Sequence, residues 1–246
     1  MAVERADTVN RVLSIRSYGG LVAALLIALL VASASFGAAS EGVRYSDGFR
    51  SGLRNWVVEA EQPSRVTARG GVLDIDSPGG IIVWFRHELS GPVAIDYDVT
   101  AVALGGPNDA VSDVNAFWMA TDSRVPSGNV LDRRRSGAFA DYDQLRTYYV
   151  GIGGNRNSTS RMRRYVSRRG DRPLLPQNDL SAPEDLLQAN RQYHLRLVAD
   201  GSRIEVLRDG KSMFRINDPR PYTHGYFGFR TTKSHLQIRN FRVLKL

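Results

Sequence analysis

The sequence predicts an all-β protein, a β-sandwich of two antiparallel sheets. Three observations carry that expectation. Short β-branched and aromatic runs recur between turn residues, Asp-Gly pairs separate successive runs near the C-terminus, and helical periodicity is nearly absent.

The first 39 residues read as an address rather than as part of that sandwich. Arg5, Arg11 and Arg16 precede an apolar run of 12 residues, Leu21 to Ala32, and small residues follow through Ala39. This is the layout of a cleaved secretory signal peptide. The run is short of the roughly 20 residues that a stable transmembrane helix needs, so no stable membrane span is expected after cleavage; an uncleaved N-terminal anchor is the alternative. The chain has no cysteine, so neither a disulfide nor a lipid-bearing thiol is available, and export without disulfides fits a bacterial periplasm or exterior. Residues 40–246 are enough for one domain with a sizeable core. The formal charge of +8 falls mostly outside the leader. For an exported basic protein that points to anionic polysaccharide or an envelope surface and not to nucleic acid.

Along the chain, strands are expected at 56–61, 72–76, 81–85, 93–103 and 111–121. In the fourth, Val93, Ile95, Tyr97, Val99 and Ala101 alternate with Ala94, Asp96, Asp98 and Thr100, which gives one buried and one exposed face. Residues 124–143 and 168–181 are polar and irregular, and loops of that length in a compact domain are usually functional or mobile. Between them Leu145 to Tyr165 reads as strand, glycine-and-asparagine turn and strand, with more polar chemistry than folding requires. A single helical segment is expected at 182–188, where Pro183 and two acids form a first turn. Strands at 193–199, 204–208, 213–216, 226–231 and 236–244 close the chain, with hairpin turns at Asp200-Gly201 and Asp209-Gly210.

The C-terminal segments Tyr193-His-Leu-Arg-Leu-Val, Ile204-Glu-Val-Leu-Arg-Asp-Gly, Gly225-Tyr-Phe-Gly-Phe-Arg-Thr and Ile238-Arg-Asn-Phe-Arg-Val resemble the end of concanavalin A-like jelly rolls of the lectin/glucanase type. A wider set, Asn115-Ala-Phe-Trp-Met-Ala, Tyr148-Tyr-Val-Gly-Ile-Gly-Gly-Asn-Arg-Asn, Arg172-Pro-Leu-Leu-Pro and Ser234-His-Leu-Gln-Ile-Arg-Asn-Phe, resembles a bacterial family related to the YesU-like proteins of polysaccharide-degradation gene clusters. The resemblance implies a jelly roll that works on carbohydrate, particularly pectic or other uronate-bearing glycans, with no settled reaction. Fold does not imply function, so the activity has to come from the site.

Three readings of that site are open. Glycoside hydrolysis wants two carboxylates about the scissile bond, and the Glu-x-Asp-x-x-Glu strand of laminarinase-like jelly rolls is missing. Asp96 with Asp98, or Asp141 with Asp143, could form another acid pair, although a solvated sheet face is the plainer reading of the first. β-Elimination needs a neutralised uronate carboxylate and groups to move protons. Arg161 and Arg164 are the candidates for the former and Tyr149 and His235 for the latter. The substrate-binding candidates are Asn115, Trp118, Tyr148, Asn155, Asn157 and Arg230, of which Trp118, Tyr148, Asn115 and Asn155 would suffice as the aromatic platform and amides of a purely binding protein. Each residue also has a structural reading. Tyr148 or Tyr149 must point into the core, Trp118 could be a core aromatic, Asn155 and Asn157 suit a left-handed turn, and His235 could bond a backbone carbonyl.

No cofactor is expected: the chain has no metal-ligand motif, and a structural calcium on carboxylates such as Asp47 or Asp113 is permitted but has no motif behind it. Gly151-Ile-Gly-Gly154 is not a dinucleotide loop, because Asn155-Arg-Asn-Ser-Thr follows where an apolar helix would have to begin. The partner is thus a polysaccharide or oligosaccharide; the oligomeric state is not legible.

Overall fold

Two long strands hold the architecture together. The computed structural model describes residues 42–246, so the expected signal peptide lies outside the described residues. The strands are β1 (Gly42–Asp47), β2 (Trp56–Ala60), β3 (Arg65–Arg69), β4 (Val72–Phe85), β5 (Leu89–Ser90), β6 (Val93–Ala101), β7 (Val114–Asp122), β8 (Leu145–Gly153), β9 (Thr159–Val166), β10 (Leu174–Leu180), β11 (Gln192–Asp200), β12 (Arg203–Arg208), β13 (Lys211–Asn217) and β14 (His224–Lys245). The runs expected at 72–76 and 81–85 are two halves of β4, and those expected at 226–231 and 236–244 are two halves of β14.

Both long strands run through two sheets. The first half of β14 pairs with β7 and with Ile81 to Trp84 of β4; its second half pairs with β6, with β1 and with the start of β4. The change comes where the β4–β14 register slips between Thr232 and Ser234, opposite Pro78 and Gly79, with Lys233 at φ 49°. An extra residue on one strand bends the ladder, which lets one strand serve two sheets. One sheet thus runs β10-β9-β8-β7-β14-β4-β2 and the other β13-β12-β11-β6-β14, all antiparallel. The main core lies between them, with Trp118, Tyr148, Val150 and Met162 of the first facing Ile95, Tyr97, Leu197 and Val206 of the second. Each fully buried side chain of this size contributes about 1.5–3 kcal/mol. This is the jelly-roll β-sandwich that the alternation predicts.

The loops depart from the sequence reading. Leu174–Leu180, read as irregular, is the edge strand β10. The helix expected at 182–188 is one 3-10 turn, Pro183–Asp185. Residues 124–143 contain two 3-10 turns, and they fold onto the outer face of the first sheet, where Val130, Tyr142 and partly buried Phe139 pack on Ile82, Trp84, Phe117, Tyr149 and Tyr165 as a second core. Gly137 makes that approach possible: at φ 96°, a Cβ there would lie 2.4 Å from the Glu61 nitrogen. Among the described residues no helix is long and apolar enough to cross a membrane.

Candidate functional site

The part of that outer face left uncovered by the 124–143 segment is a cleft of about 620 Å³. Its floor is built by register. Tyr149 and Gly151 are alternate residues of β8, Gly151 pairs with Asn115 of β7 and with Arg161 of β9, and Tyr149 pairs with Phe117 and Arg163. Successive side chains of a strand alternate in direction, so Asn115, Tyr149, Arg161 and Arg163 share one face. Phe139 closes one end, and Asn155, Arg156, Asp113 and Lys233 complete the rim.

The rim is where unusual backbone collects. Asp113, Asn155, Arg156 and Lys233 all have φ between 49° and 59°. Non-glycine residues held there cost free energy that the surrounding structure must offset, and such positions cluster at ligand sites. Asn155, Arg156 and Asn157 are consecutive in this left-handed conformation, which accounts for asparagine on both sides of the arginine.

The chemistry of the cleft is cationic above and polar below. Arg161 is tied to Asp179 through bonds of 2.7 and 3.1 Å. Arg163 donates to the Arg172 carbonyl, and among the described residues no carboxylate lies within ion-pair distance of Arg163, Arg156 or Lys233. Among the described residues the lining holds one carboxylate, Asp113, which accepts from Ser112 Oγ at 2.5 Å and from Asn115 Nδ2 at 3.2 Å. Among the described residues the Tyr149 phenol has no hydrogen-bond partner. Burial pushes its pKa up, Tyr165 and Asp113 add to the rise, and Arg230 and Arg163 oppose it without reversing it. It is therefore protonated at neutral pH.

Beside the cleft, the covering segment is pinned by buried charge. Arg135 bonds Asp122, and its backbone nitrogen donates to Glu59 Oε1 at 2.8 Å. The other Glu59 oxygen accepts from Trp84 Nε1 and Tyr142 Oη, both at 3.0 Å. Sequence reading missed this set, whose members come from three distant segments.

The residues singled out from sequence divide cleanly. Tyr149, Asn115, Arg161 and Asn155 line the cleft. Arg230 lies next to it but is buried: Nη1 donates to the Gly137 carbonyl at 2.9 Å, and the guanidinium stands 4.8 Å from the Phe139 ring. Arg164 is on the opposite face of β9, where it bonds Asp218 at 2.6 Å and stacks on Tyr222 at 4.2 Å, so Arg163 takes the cleft position that Arg164 was expected to fill. Tyr148 also faces away, donating to Asp218 at 2.7 Å, and Trp118 is wholly buried beside it with no face for a sugar ring. Asn157 clamps Leu187 by two 2.9 Å backbone bonds. His235 is not in the cleft lining; its ring nitrogens lie 2.8 Å from Asp109 and 3.0 Å from Asp74. Of the two carboxylates named for calcium, Asp47 is taken up by Phe49, Asn55 and Trp56, and no group of three or more potential ligands gathers among the described residues.

Fold and cleft together define a galectin-like jelly roll with a cationic cleft on the outer face of one sheet. The chain belongs to the family described as a domain of unknown function, DUF6250, whose model matches residues 75–241. No curated protein matches the chain by sequence. In structure it is similar to a Bacillus subtilis protein of unknown function with a galectin-like fold (TM-score 0.63, 16% identity, 82% of this chain and 95% of that one). It is also similar to the metal-free carbohydrate recognition domain of Emp46p (0.54, 13%, 82% and 92%). A third similar structure is the Bacillus subtilis carbohydrate-binding module CBM66 (0.51, 14%, 77% and 94%). At these identities the likeness is one of fold.

Proposed function

We propose that this protein binds an acidic, uronate-bearing polysaccharide in the cleft beside Tyr149. One observation carries the reading: Arg156, Arg163 and Lys233, none with a carboxylate partner among the described residues, line the cleft together with the neutral hydrogen-bonding groups of Asn115, Asn155 and Tyr149. Guanidinium forks match carboxylates, and a polar floor suits sugar hydroxyls. The names of two structural neighbours, a carbohydrate-binding module and a carbohydrate recognition domain, support the sugar part of this reading. Export through residues 1–39 and kinship with the YesU-like proteins belong to the same proposal. A hydrolase is disfavoured, since its mechanism needs two carboxylates about the bond and, among the described residues, the lining offers Asp113 alone.

A second reading, cleavage by β-elimination, is favoured by the free Tyr149 hydroxyl beside Arg163. The protonated phenol would donate to the leaving oxygen, while the C5 proton needs an acceptor other than His235. The test is a panel of pectic and other uronate polysaccharides against neutral controls, with affinity, absorbance in the unsaturated-uronate band and reducing ends all followed. Affinity for acidic chains with neither product signal is the expected result. A rise in both signals selects elimination, and equal affinity for neutral chains removes the charge-based reading.

A further inference from the structure

Arg230 is a buried charge without a counter-charge. It pairs in register with Asn115 of the cleft floor, and Thr232, two residues on, lines the cleft, so its side chain lies on the cleft face of the sheet. It is 1% exposed. Nη1 donates to the Gly137 carbonyl, but among the described residues Nε and Nη2 have no hydrogen-bond partner and no carboxylate lies within ion-pair distance. Glu61 Oε2 and Arg230 Nη2 border the same hollow over Gly80, yet Glu61 bonds the Gly80 nitrogen at 3.0 Å instead. Buried charges are normally paired, and arginine does not escape the cost by losing its proton. The unused edge is the informative one. Nε–H and Nη2–H point the same way, and that edge grips a carboxylate side-on through two bonds. Arg161 gives it to Asp179 at 2.7 and 3.1 Å, and Arg196 gives it to Asp96 at 2.7 and 3.0 Å. Phe139 links this edge to the cleft: its ring lines the cleft and stands 4.8 Å from the Arg230 guanidinium. The ring is only partly buried and is held by contacts alone, with the Arg172 guanidinium at 4.3 Å and the Tyr149 ring at 5.6 Å.

We infer that Phe139 is a gate and that Arg230 behind it is a deep carboxylate site: an acid group of the ligand displaces the ring and takes the Nε–Nη2 edge in a side-on pair. The inference rests on the acidic-saccharide reading of the cleft and deepens it, because it adds to the rim cations a position that reads the shape of a carboxylate. A ligand opens a closed state only by binding the open one better. A uronate does so here by supplying the missing counter-charge. A methyl ester or a neutral sugar brings no charge and leaves the ring in place.

Calorimetry on the purified protein tests this with an oligogalacturonate, its methyl-esterified form and a neutral oligogalactan. Arg230→Met should lose about thirtyfold in affinity for the acid, as for a hydrogen-bonded charge pair out of water, and nothing toward the neutral oligomer. Arg230→Lys, which keeps the charge without the fork, should not restore the loss. Phe139→Ala should bind the acid about threefold more tightly, since the open state no longer has to be populated at the ligand's expense, with the neutral oligomer unaffected. Thermal unfolding gives a second readout: Arg230→Met removes an uncompensated buried charge, so its midpoint should hold or rise. If that variant does not fold, Phe139→Ala decides alone, at a temperature where it is folded. Acid preference retained in Arg230→Met, or acid affinity unchanged or weakened in Phe139→Ala, overturns the inference and leaves the rim cations as the acid site. A parent that does not prefer the acid over its ester and the neutral oligomer overturns the uronate reading, and the gate with it.

Discussion

His235 Nδ1 lies 2.8 Å from Asp109 Oδ1, on the connection that leads from β6 into the cleft rim, and its Nε2 lies 3.0 Å from Asp74 Oδ2. A neutral imidazole can donate to only one of these carboxylates, whereas the imidazolium serves both. Burial opposes the charge, but the bonds to Asp74 and Asp109 outweigh it and raise the pKa of His235. A histidine raised in the folded state contributes stability that is fully present below its unfolded pKa of about 6.5 and is lost as pH rises through the folded value. His235→Gln should therefore destabilise the protein by about 2 kcal/mol near pH 5.5 and by less at higher pH. Denaturant midpoints across this range check it; parallel curves for variant and parent would refute it.

Arg163 and Arg164 are neighbours in sequence with opposite roles. Arg163→Ala should weaken binding of an acidic oligosaccharide about tenfold and flatten its salt dependence, with little change in unfolding midpoint. Arg164→Ala strands Asp218, which also accepts from Tyr148 and from the Arg220 backbone nitrogen, and should cost about 1–3 kcal/mol of stability. Its affinity at a temperature where both proteins are folded should match the parent. An equal affinity loss in the two variants would remove the division of faces.

Trp118 belongs to the core and not to a sugar platform. Its truncation to alanine should cost about 3–5 kcal/mol. Trp118→Phe, which keeps most of the packing, should bind oligosaccharide as the parent does. A specific loss of affinity in the phenylalanine variant would return Trp118 to the site.

Much of this was legible. Alternation identified β6 and the C-terminal strands, and the Gly-Asn turn marked the β8–β9 hairpin. The same alternation pairs Arg161 with Arg163 rather than with Arg164, so the opposite face that Arg164 takes was within reach of counting. Other features were out of reach for physical reasons. Period-two patterning places Tyr148 and Tyr149 on opposite faces but does not say which face is the core when both are covered. Here the second face is covered by residues 124–143, whose anchor on Glu59 spans 76 residues and leaves no local periodicity. His235 drew notice as an isolated histidine between strand motifs, yet its partners Asp74 and Asp109 come from separate segments.

That covering segment makes the most demanding prediction. The Arg135 side chain is 2% exposed, and Asp122 and Glu59 beside it are 0% and 3% exposed. Burying three charges is worthwhile only if they are satisfied, and removing Arg135 leaves Glu59 without an opposing charge and Asp122 with Arg124 alone. Arg135→Met should cost about 3–5 kcal/mol and loosen the packing of Phe139 and Tyr142 over the sheet. It should also change the response to acid. Burial alone would raise the Asp122 carboxyl, but the Arg124 hydrogen bonds and the Arg135 charge outweigh it and hold the group below its ordinary value. A carboxylate lowered in this way contributes stability above its unfolded pKa of about 3.9 and loses it as pH falls through the folded value. Without Arg135 the depression shrinks, and acid unfolding should begin at a higher pH than in the parent. Tryptophan fluorescence follows the opening of this segment through Trp84, whose indole donates to Glu59, against the background of Trp56 and Trp118. A loss of under about 1 kcal/mol, with the acid transition unmoved, would mean that apolar packing alone holds the segment down.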